Sequence, residues 1–310
     1  MKILVTGAAG YIGSVLVPEL LLAGHKVMAV DNFAYDQRSL NQCCQDENFS
    51  VINADVENLD AYRSAVESAD LVIPLAAIVG APACARKPVL AERINRSAIF
   101  DMLDLLSPDQ MVIMPTTNSA YGSGDKNNYC DENTPLNPIS QYAREKVEVE
   151  QRLMQHGNVI SFRLATVFGM SPRMRMDLLV NDFVYRARND GFVVLYEPHF
   201  KRNYIHVRDV TRAFMHGMTS FDKMRGEIYN VGLSTANLSK LELCEEIKKQ
   251  VPGFIFPIES TQKDPDQRNY IVSNEKIEAT GFMPAVSIAD GIAELLKGYS
   301  MLSRNTYTNL

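Results

Sequence analysis

The chain has 310 residues, of which 46% are hydrophobic and 22% are charged, so it can bury a substantial core without disulfide or metal cross-links. Its net charge of −6 argues against nucleic acid as a partner and does not favour an anionic membrane surface, because both attract basic proteins. The net charge does not exclude a small anionic ligand, because binding one needs only a few local arginines. The uncharged stretch from Leu71 to Ala85 is broken by two prolines and a glycine and is too short to span a bilayer.

Cysteine usage and the chain start bear on the cellular compartment. The five cysteines, an odd number, include the adjacent pair Cys43 and Cys44 and show neither metal-ligand spacing nor a disulfide framework. Met1 and Lys2 lead directly into a short apolar run and then glycines, which is not the layout of a signal peptide. We therefore expect reduced thiols, no bound metal and a cytoplasmic location.

The first half of the chain alternates short apolar runs with helical patterns. The predicted strands are Ile3–Thr6, Lys26–Val30, Ser50–Ala54, Leu71–Leu75, Met111–Met114 and Val159–Arg163, and the predicted helices are Ile12–Ala23, Leu59–Val66, Val89–Leu106 and Ser140–Gln155. Uniformly apolar strands in alternation with helices indicate a parallel sheet that is covered on both faces. The predicted class is therefore α/β, a doubly wound Rossmann sheet that binds its ligands at the carboxyl ends of its strands.

The second half is less regular. Helices are predicted at Asp177–Ala187, Ser239–Val251 and Ser287–Leu302, and the second of these begins with the capping box Ser239-x-x-Glu242. We expect residues 1–164, together with part of 205–231, to form a Rossmann domain around this sheet. Residues 165–310 are expected to form mainly a smaller, intertwined substrate-binding domain.

A glycine-rich turn joins the first predicted strand to the first predicted helix. Glycines allow the tight turn and the close approach of the backbone to a pyrophosphate, and the helix N-terminus offers free N–H groups to the phosphates. Asp31 lies 18 residues past Gly13, where a carboxylate can bind a ribose 2′-hydroxyl and repel a 2′-phosphate. The pattern predicts NAD rather than NADP, with contacts from Gly7, Gly10, Tyr11, Ile12, Gly13, Asp31 and Asn32.

Tyr142 and Lys146 lie one helical turn apart on the same face of a predicted helix. A tyrosine phenol has a pKa near 10 and is a poor base at neutral pH, but a neighbouring ammonium together with a nicotinamide cation would stabilise the phenolate. The phenolate can then remove a hydroxyl proton while hydride leaves for NAD. Placed after the fifth strand of a dinucleotide-binding sheet, the pair predicts an NAD-dependent oxidoreductase.

The glycine turn, Tyr142 with Lys146, and the segment Thr116–Gly122 resemble the extended short-chain dehydrogenases that modify nucleotide sugars, over nearly the whole chain. The resemblance implies that the hydroxyl of Thr117 assists Tyr142. It implies further NAD contacts from Asp55, Val56, Leu75, Ala76, Ala77 and Asn95. It also implies a homodimer built from the helices near Val89–Leu106 and Ser140–Gln155.

The resemblance extends to the substrate side through the segment Arg163–Gly169. It implies that Arg202 and Arg268 hold the diphosphate of a nucleotide-diphosphate sugar, and a guanidinium suits this work because its fixed fork bonds a phosphate through two N–H groups. Further candidate substrate contacts are Asn118, Ser119, Arg173, Arg175, Asn181 and Glu197.

Four segments are most similar to the GDP-heptose C4-dehydrogenases of bacterial capsule polysaccharide biosynthesis. They are Thr117–Gly122, Arg163–Gly169, Ser171–Arg175 and Asn203–Val210. The related 4,6-dehydratases carry acidic residues immediately after the catalytic threonine, where this chain has Asn118 and Ser119, so sugar dehydration is not expected. A C4-epimerase with tightly bound NAD uses the same parts and remains an alternative. So does a non-catalytic dinucleotide-sensing protein, although such proteins lack the Tyr–Lys pair.

Overall fold

The computed structural model describes residues 1–122, 129–260 and 268–302. Its strands are β1 (Lys2–Thr6), β2 (Lys26–Asp31), β3 (Phe49–Asn53), β4 (Leu71–Pro74), β5 (Met111–Thr117), β6 (Tyr129–Cys130), β7 (Val159–Leu164), β8 (Thr166–Phe168), β9 (Leu195–Tyr196), β10 (Lys201–His206), β11 (Glu227–Val231), β12 (Asn237–Ser239), β13 (Ile258–Glu259) and β14 (Ile271–Val272). Each of the six strands predicted in the first half is found within three residues of its predicted bounds.

The helices are α1 (Gly13–Leu22), α2 (Arg63–Ser68), α3 (Ala81–Arg86), α4 (Pro88–Glu92), α5 (Ala98–Leu105), α6 (Gln141–Leu153), α7 (Leu179–Asn189), α8 (Val207–Thr219), α9 (Phe221–Met224), α10 (Lys240–Gln250), α11 (Glu275–Glu278) and α12 (Ile288–Gly298). Four short 3₁₀ segments lie at Asn41–Cys43, Leu59–Ala61, Asn118–Tyr121 and Ser234–Ala236, and a π-helical turn lies at Arg93–Ser97.

Seven strands form one parallel sheet in the order β11-β7-β5-β4-β1-β2-β3. The strand order reverses beside β1, so crossovers on either side of that strand leave a crevice at its carboxyl end. The predicted fold class is confirmed. β11 completes the sheet from far along the chain, within the stretch assigned in part to the cofactor domain, while the division of the chain at residue 164 stays a prediction.

Successive side chains of the strands enter two different cores. In β1, Ile3 and Val5 are fully buried in the core that includes α1 and α8, whereas Leu4 is fully buried in the core that includes α2 and α5. Both faces of the sheet are therefore covered by helices, which explains why the strands read as continuous apolar runs.

The prediction of one helix over Val89–Leu106 is wrong in its middle. The helix is interrupted by the π turn Arg93–Ser97 between α4 and α5, which inserts an extra residue into the helical repeat. Apolar periodicity does not report such a turn, because the flanking segments keep the same buried face. The predicted helix at Leu59–Val66 is likewise a 3₁₀ turn followed by α2.

A third core lies around the small sheet β12-β10-β8 and is formed largely by α7, α10 and α12. The predicted capping box is confirmed: Ser239 Oγ accepts the Glu242 N–H at 3.1 Å, and Glu242 Oε2 accepts the Ser239 N–H at 2.7 Å. Within the described residues, the helices are all too short or too polar to cross a membrane.

Candidate active site

A cavity of about 610 Å³ opens at the carboxyl ends of the parallel strands. One side of it is formed by the glycine turn, Asp31 and the residues that follow β3 and β4. The other side is formed by residues that follow β8 and by side chains from β10 and from the start of the last described segment. The cavity therefore extends from the dinucleotide groove to the residues after β8 and on β10. It has room for a cofactor beside a second ligand, as a two-substrate reaction requires.

The glycine turn is shaped to admit a dinucleotide. Gly7 has a φ of 65°, and a Cβ added to it would lie 2.6 Å from the backbone N of Ala76. Gly10 N–H donates to Gly7 O at 3.0 Å, which closes the turn at the start of α1. A side chain at Gly7 would therefore collide with the backbone that follows β4, and its absence leaves the backbone open to a pyrophosphate.

Asp31 ends β2 and is only 8% exposed. Its carboxylate accepts hydrogen bonds from Ala9 N–H at 3.0 Å, Phe33 N–H at 2.9 Å and Gln37 Nε2 at 3.0 Å. Burial raises the pKa of Asp31, whereas these donors and the charge of Arg173 lower it. The carboxylate is thus held at the strand end where a dinucleotide places its adenosine ribose.

The remaining predicted groove residues on this side also line the cavity: Gly10, Tyr11, Ile12, Gly13, Asn32, Asp55, Val56, Leu75, Ala76 and Ala77. Asn32 Nδ2 donates to Asp55 Oδ2 at 2.8 Å and joins the loops after β2 and β3. The residues present fit the dinucleotide that the sequence predicts.

Tyr142 and Lys146 lie on α6, whose N-terminus is capped by Ser140 Oγ, and both line the cavity. Burial raises the pKa of Tyr142 to about 12, and the charges of Arg268 and Arg175 oppose that rise. Burial also lowers the pKa of Lys146 to about 8, against the opposing charge of Glu145. The polypeptide alone therefore does not lower the pKa of Tyr142, and the expected activation depends on the nicotinamide cation as well.

Thr117 lies at the end of β5 and faces the same cavity. Its Oγ1 donates to Ser119 Oγ at 3.0 Å and accepts the Ser119 N–H at 3.1 Å. Ser119 Oγ in turn accepts a hydrogen bond from Arg268 Nη1. The cavity wall thus links the predicted catalytic hydroxyl to a predicted phosphate-binding arginine. The Asp264–Gln267 motif that precedes Arg268 lies outside the described residues.

Asn95 is fully buried and absent from the wall that the described residues form, so its predicted direct contact with NAD is not supported. Its Oδ1 accepts the Ile78 N–H at 2.9 Å, and its Nδ2 donates to Ile78 O at 3.0 Å and to Glu145 Oε2 at 3.0 Å. Asn95 lies on the π turn, which directs its side chain inward. It supports the groove loop after β4 and the catalytic helix from behind.

Three predicted substrate contacts also lie away from the cavity among the described residues. Asn181 is fully buried, with Oδ1 accepting the Gly169 N–H at 3.0 Å and Nδ2 donating to Arg175 O at 2.8 Å, so it holds the cavity wall in place. Glu197 lies in the turn before β10 with a φ of 45°. Asn118 is 1% exposed, because the 3₁₀ turn after β5 directs its amide into the protein.

The four predicted arginines all line the cavity. Arg175 makes a two-pronged ion pair with Asp177, with N–O distances of 2.6 and 2.8 Å. Arg202 and Arg268 come from β10 and from the start of the last described segment. Arg173 has its Cζ 4.6 Å from the centre of the Tyr35 ring beside Asp31, and the charge of Arg175 lowers the pKa of Arg173.

Polar side chains that the sequence analysis did not predict complete the cavity: Tyr35, Gln37, Lys87, Asp177, Asp182 and Tyr270. The spacing Arg175-x-Asp177 is a signal that could have identified one of them, since the two side chains pair in the structure. The others have no local signal, because they reach the cavity only through the packing of distant segments.

The comparison with protein families identifies this arrangement. The profile of the NAD dependent epimerase/dehydratase family matches residues 3–232, from β1 to just past β11. The chain belongs to that family. It is therefore an NAD-dependent enzyme, and the groove around Gly7 and Asp31 remains the predicted place for its cofactor.

Relatives and solved structures are similar to the chain over nearly its whole length. The chain is 26% identical to a dTDP-glucose 4,6-dehydratase of Streptomyces niveus, covering 96% of this chain and 93% of that protein. It is 25% identical to a probable UDP-glucuronate 4-epimerase of Rhizobium meliloti, covering 100% of both. The UDP-glucose 4-epimerase of Thermotoga maritima, solved with UDP-glucose, superposes with a TM-score of 0.84 at 25% identity, covering 97% of this chain and 99% of that one. The UDP-glucuronic acid 4-epimerase of Bacillus cereus, solved with its substrate and NAD, has a TM-score of 0.86 at 22% identity, covering 98% of this chain and 100% of that one.

Proposed function

We propose that this enzyme oxidises C4 of a nucleotide-diphosphate sugar with NAD, and that the sugar is GDP-heptose. The observation that carries the proposal is that one cavity contains both Tyr142 with Lys146 and three of the predicted substrate arginines, Arg175, Arg202 and Arg268. A diphosphate held by the arginines would keep the sugar beside the phenol. The names of the relatives, UDP-glucuronate 4-epimerase and dTDP-glucose 4,6-dehydratase, support a nucleotide sugar as the substrate class.

In the proposed reaction Tyr142 Oη removes the proton of the C4 hydroxyl. NAD, when bound, supplies the acceptor for the hydride that leaves C4. Lys146 stabilises the phenolate through its ammonium, and the Thr117 hydroxyl assists Tyr142. Arg175 and Arg268 favour the phenolate further, because their charges already lower the pKa of Tyr142 against the effect of its burial.

The choice of GDP-heptose is supported by the four sequence segments that resemble GDP-heptose C4-dehydrogenases. The relatives named above act, by their names, on UDP- and dTDP-sugars. The first experiment therefore tests which nucleotide the substrate carries. Turnover and affinity should be compared for GDP-heptose, GDP-mannose, UDP-glucose and dTDP-glucose, and the proposal requires GDP-heptose to have the highest kcat/KM.

A C4-epimerase is the second candidate, and it is favoured by the names of several relatives, including a UDP-glucuronate 4-epimerase. An epimerase would use the same residues. It differs in returning the hydride to the other face of the 4-keto sugar before that sugar leaves the cavity. The residues that line the cavity are common to both reactions, so an isotope experiment must separate them.

The experiment uses GDP-heptose deuterated at C4, with and without an added 2-ketoacid. A dehydrogenase should remove the label from the sugar and leave it on the cofactor or on the reduced acceptor. An epimerase should return the deuterium to an inverted C4 without any acceptor. NMR of the sugar distinguishes these outcomes, and quantitative retention of the label at an inverted C4 would replace oxidation by epimerisation. The Tyr142→Phe protein serves as the inactive control.

A further inference from the structure

Arg173, a predicted sugar contact, belongs to a segment that is bonded to the start of α1. Its main-chain N–H donates to Ser14 Oγ at 3.3 Å. Ser14 Oγ lies 2.9 Å from Ser171 Oγ, which donates to Tyr11 O at 2.7 Å. The segment after β8 therefore lies directly against the first turn of the helix that follows the glycine turn.

The side chain of Arg173 points along the dinucleotide groove toward Asp31. Its Cζ lies 4.6 Å from the centre of the Tyr35 ring, and its charge lowers the pKa of Asp31 against the effect of burial. Arg173 is 5% exposed, whereas Tyr35 is 53% exposed, and both line the cavity. The guanidinium thus lies beneath a tyrosine that covers the edge of the groove.

These contacts place Arg173 between two known points of a dinucleotide. The pyrophosphate lies at the glycine turn and the N-terminus of α1, and the adenosine ribose lies at the carboxylate after the second strand. Arg173 has its amide at the first point and its guanidinium beside the second. A guanidinium suits a phosphate group in that interval, because its fork bonds two phosphate oxygens.

We propose that Arg173 binds the pyrophosphate of NAD on its adenosine side and that Tyr35 holds the guanidinium in position. Because Arg173 belongs to the segment after β8, the bound dinucleotide is fastened from both sides of the cavity. Loss of Arg173 therefore speeds release of the cofactor. The proposal depends on the NAD dependence of the family and not on oxidation of a sugar at C4.

Arg175, only two residues further along, makes different contacts from Arg173. It pairs with Asp177 through two N–O contacts, and its charge lowers the pKa of Tyr142 against the effect of burial. Arg173 is not among the largest influences on the pKa of Tyr142, although the charge of Arg175 lowers the pKa of Arg173. The two arginines of Ser171–Arg175 thus divide between cofactor and reacting end.

The test measures binding to protein freed of its cofactor. The ligands are NADH, followed by its fluorescence, and ADP-ribose and adenosine, measured by competition. Arg173→Ala is expected to weaken the binding of NADH and of ADP-ribose by about ten- to a hundredfold, the range for a lost charge-assisted hydrogen bond. The affinity for adenosine, which has no phosphate, should change by less than about threefold. The control Arg38→Ala removes an exposed charge near the same groove edge and should leave all three affinities unchanged.

The position of Tyr35 supplies a second comparison at an exposed site. Tyr35→Ala should weaken the binding of NADH by about threefold, the value of an exposed cation–π contact. Tyr35→Phe should bind NADH as tightly as the wild type, because the aromatic ring remains. If Arg173→Ala does not fold, Arg173→Lys, which keeps the charge without the fork, takes its place and should bind NADH more weakly than the wild type.

Either of two results overturns the proposal. One is that the Arg173 variant binds NADH as tightly as the wild type and loses affinity only for the nucleotide sugar. Arg173 would then be a substrate-binding residue. The other is an equal loss for NADH, ADP-ribose and adenosine, which would mean that Arg173 only supports the shape of the adenosine pocket. Faster dissociation of NADH from the Arg173 variant, with adenosine unaffected, supports it.

Discussion

Asn95 Nδ2 donates a hydrogen bond of 3.0 Å to Glu145 Oε2, one residue before Lys146. The carboxylate is 5% exposed, and its other oxygen accepts from Gln141 Nε2 at 2.7 Å. The π turn that carries Asn95 is thereby joined to the catalytic helix and, through Ile78, to the wall of the cofactor groove. This buried carboxylate influences the charge of Lys146.

Glu145→Gln is expected to narrow the pH range of activity. Burial lowers the pKa of Lys146 to about 8, while Glu145, and next Cys84, raise it. A lysine is charged below its pKa, so the ammonium is lost as the pH rises through about 8. Removing the Glu145 charge lowers the pKa of Lys146 further, and the alkaline limb of kcat/KM should move to lower pH. The control is Glu148→Gln on the exposed face of α6, where Glu148 pairs with Arg96 at 2.7 Å. Coincident alkaline limbs in Glu145→Gln and wild type would contradict the expectation.

Tyr142→Phe should lower turnover by at least about a hundredfold, the usual minimum contribution of general acid–base catalysis. The change removes only the proton-accepting oxygen, so the affinity for NADH should stay near that of the wild type. Steady-state kinetics and NADH fluorescence measure the two effects. A variant that keeps a tenth of normal turnover would show that a different group is the base.

NAD should bind more tightly than NADP, because the Asp31 carboxylate faces the position of a 2′-phosphate. Asp31→Asn removes the charge while preserving the shape of the side chain, and it should reduce the preference for NAD by about tenfold. Calorimetry on protein freed of cofactor gives both affinities. Equal or tighter binding of NADP to the wild type would refute the role assigned to Asp31.

Water loss from the sugar is expected to be absent. Asn118 and Ser119 occupy the positions after Thr117 where the 4,6-dehydratases carry acids, and neither side chain can exchange a proton at neutral pH. The structure strengthens the expectation, because the Asn118 amide is 1% exposed and only Ser119 of the two lines the cavity in the described part of the chain. Mass spectrometry of the product tests it, and a sugar lighter by one water would count against it.

Glu150→Gln should destabilise the fold far more than the loss of a surface pair. Glu150 and Arg163 are 4% and 3% exposed, their closest N–O distance is 2.6 Å, and Ser161 Oγ donates to the same carboxylate at 2.7 Å. Breaking a buried pair on one side costs about 3–5 kcal/mol, whereas an exposed pair is worth about 0–1 kcal/mol. Urea unfolding of Glu150→Gln beside Asp60→Asn, which breaks the exposed pair with Arg63, gives the comparison. Similar midpoints for the two variants would contradict it.

Several parts of the fold and the site could be predicted because their signals are local in the chain. Apolar runs, the glycine turn from Gly7 to Gly13 and the carboxylate of Asp31 lie close together in the chain, so their spacing alone predicts the sheet and the NAD groove. Tyr142 and Lys146 are set by one turn of a helix. For the same reason the capping box Ser239-x-x-Glu242 could be predicted from the sequence.

The polar residues that reach the cavity could not all be predicted, because long-range packing sets their orientation. Asn95, Asn118 and Asn181 matched predicted contacts, but each is buried behind the wall, because its orientation depends on a π turn, a 3₁₀ turn or the packing of α7. Arg173 and Arg175 look equivalent in the sequence, yet one packs against the Tyr35 ring and the other pairs with Asp177. Such differences arise from contacts between segments far apart in the chain, and the spacing of residue types carries no information about those contacts.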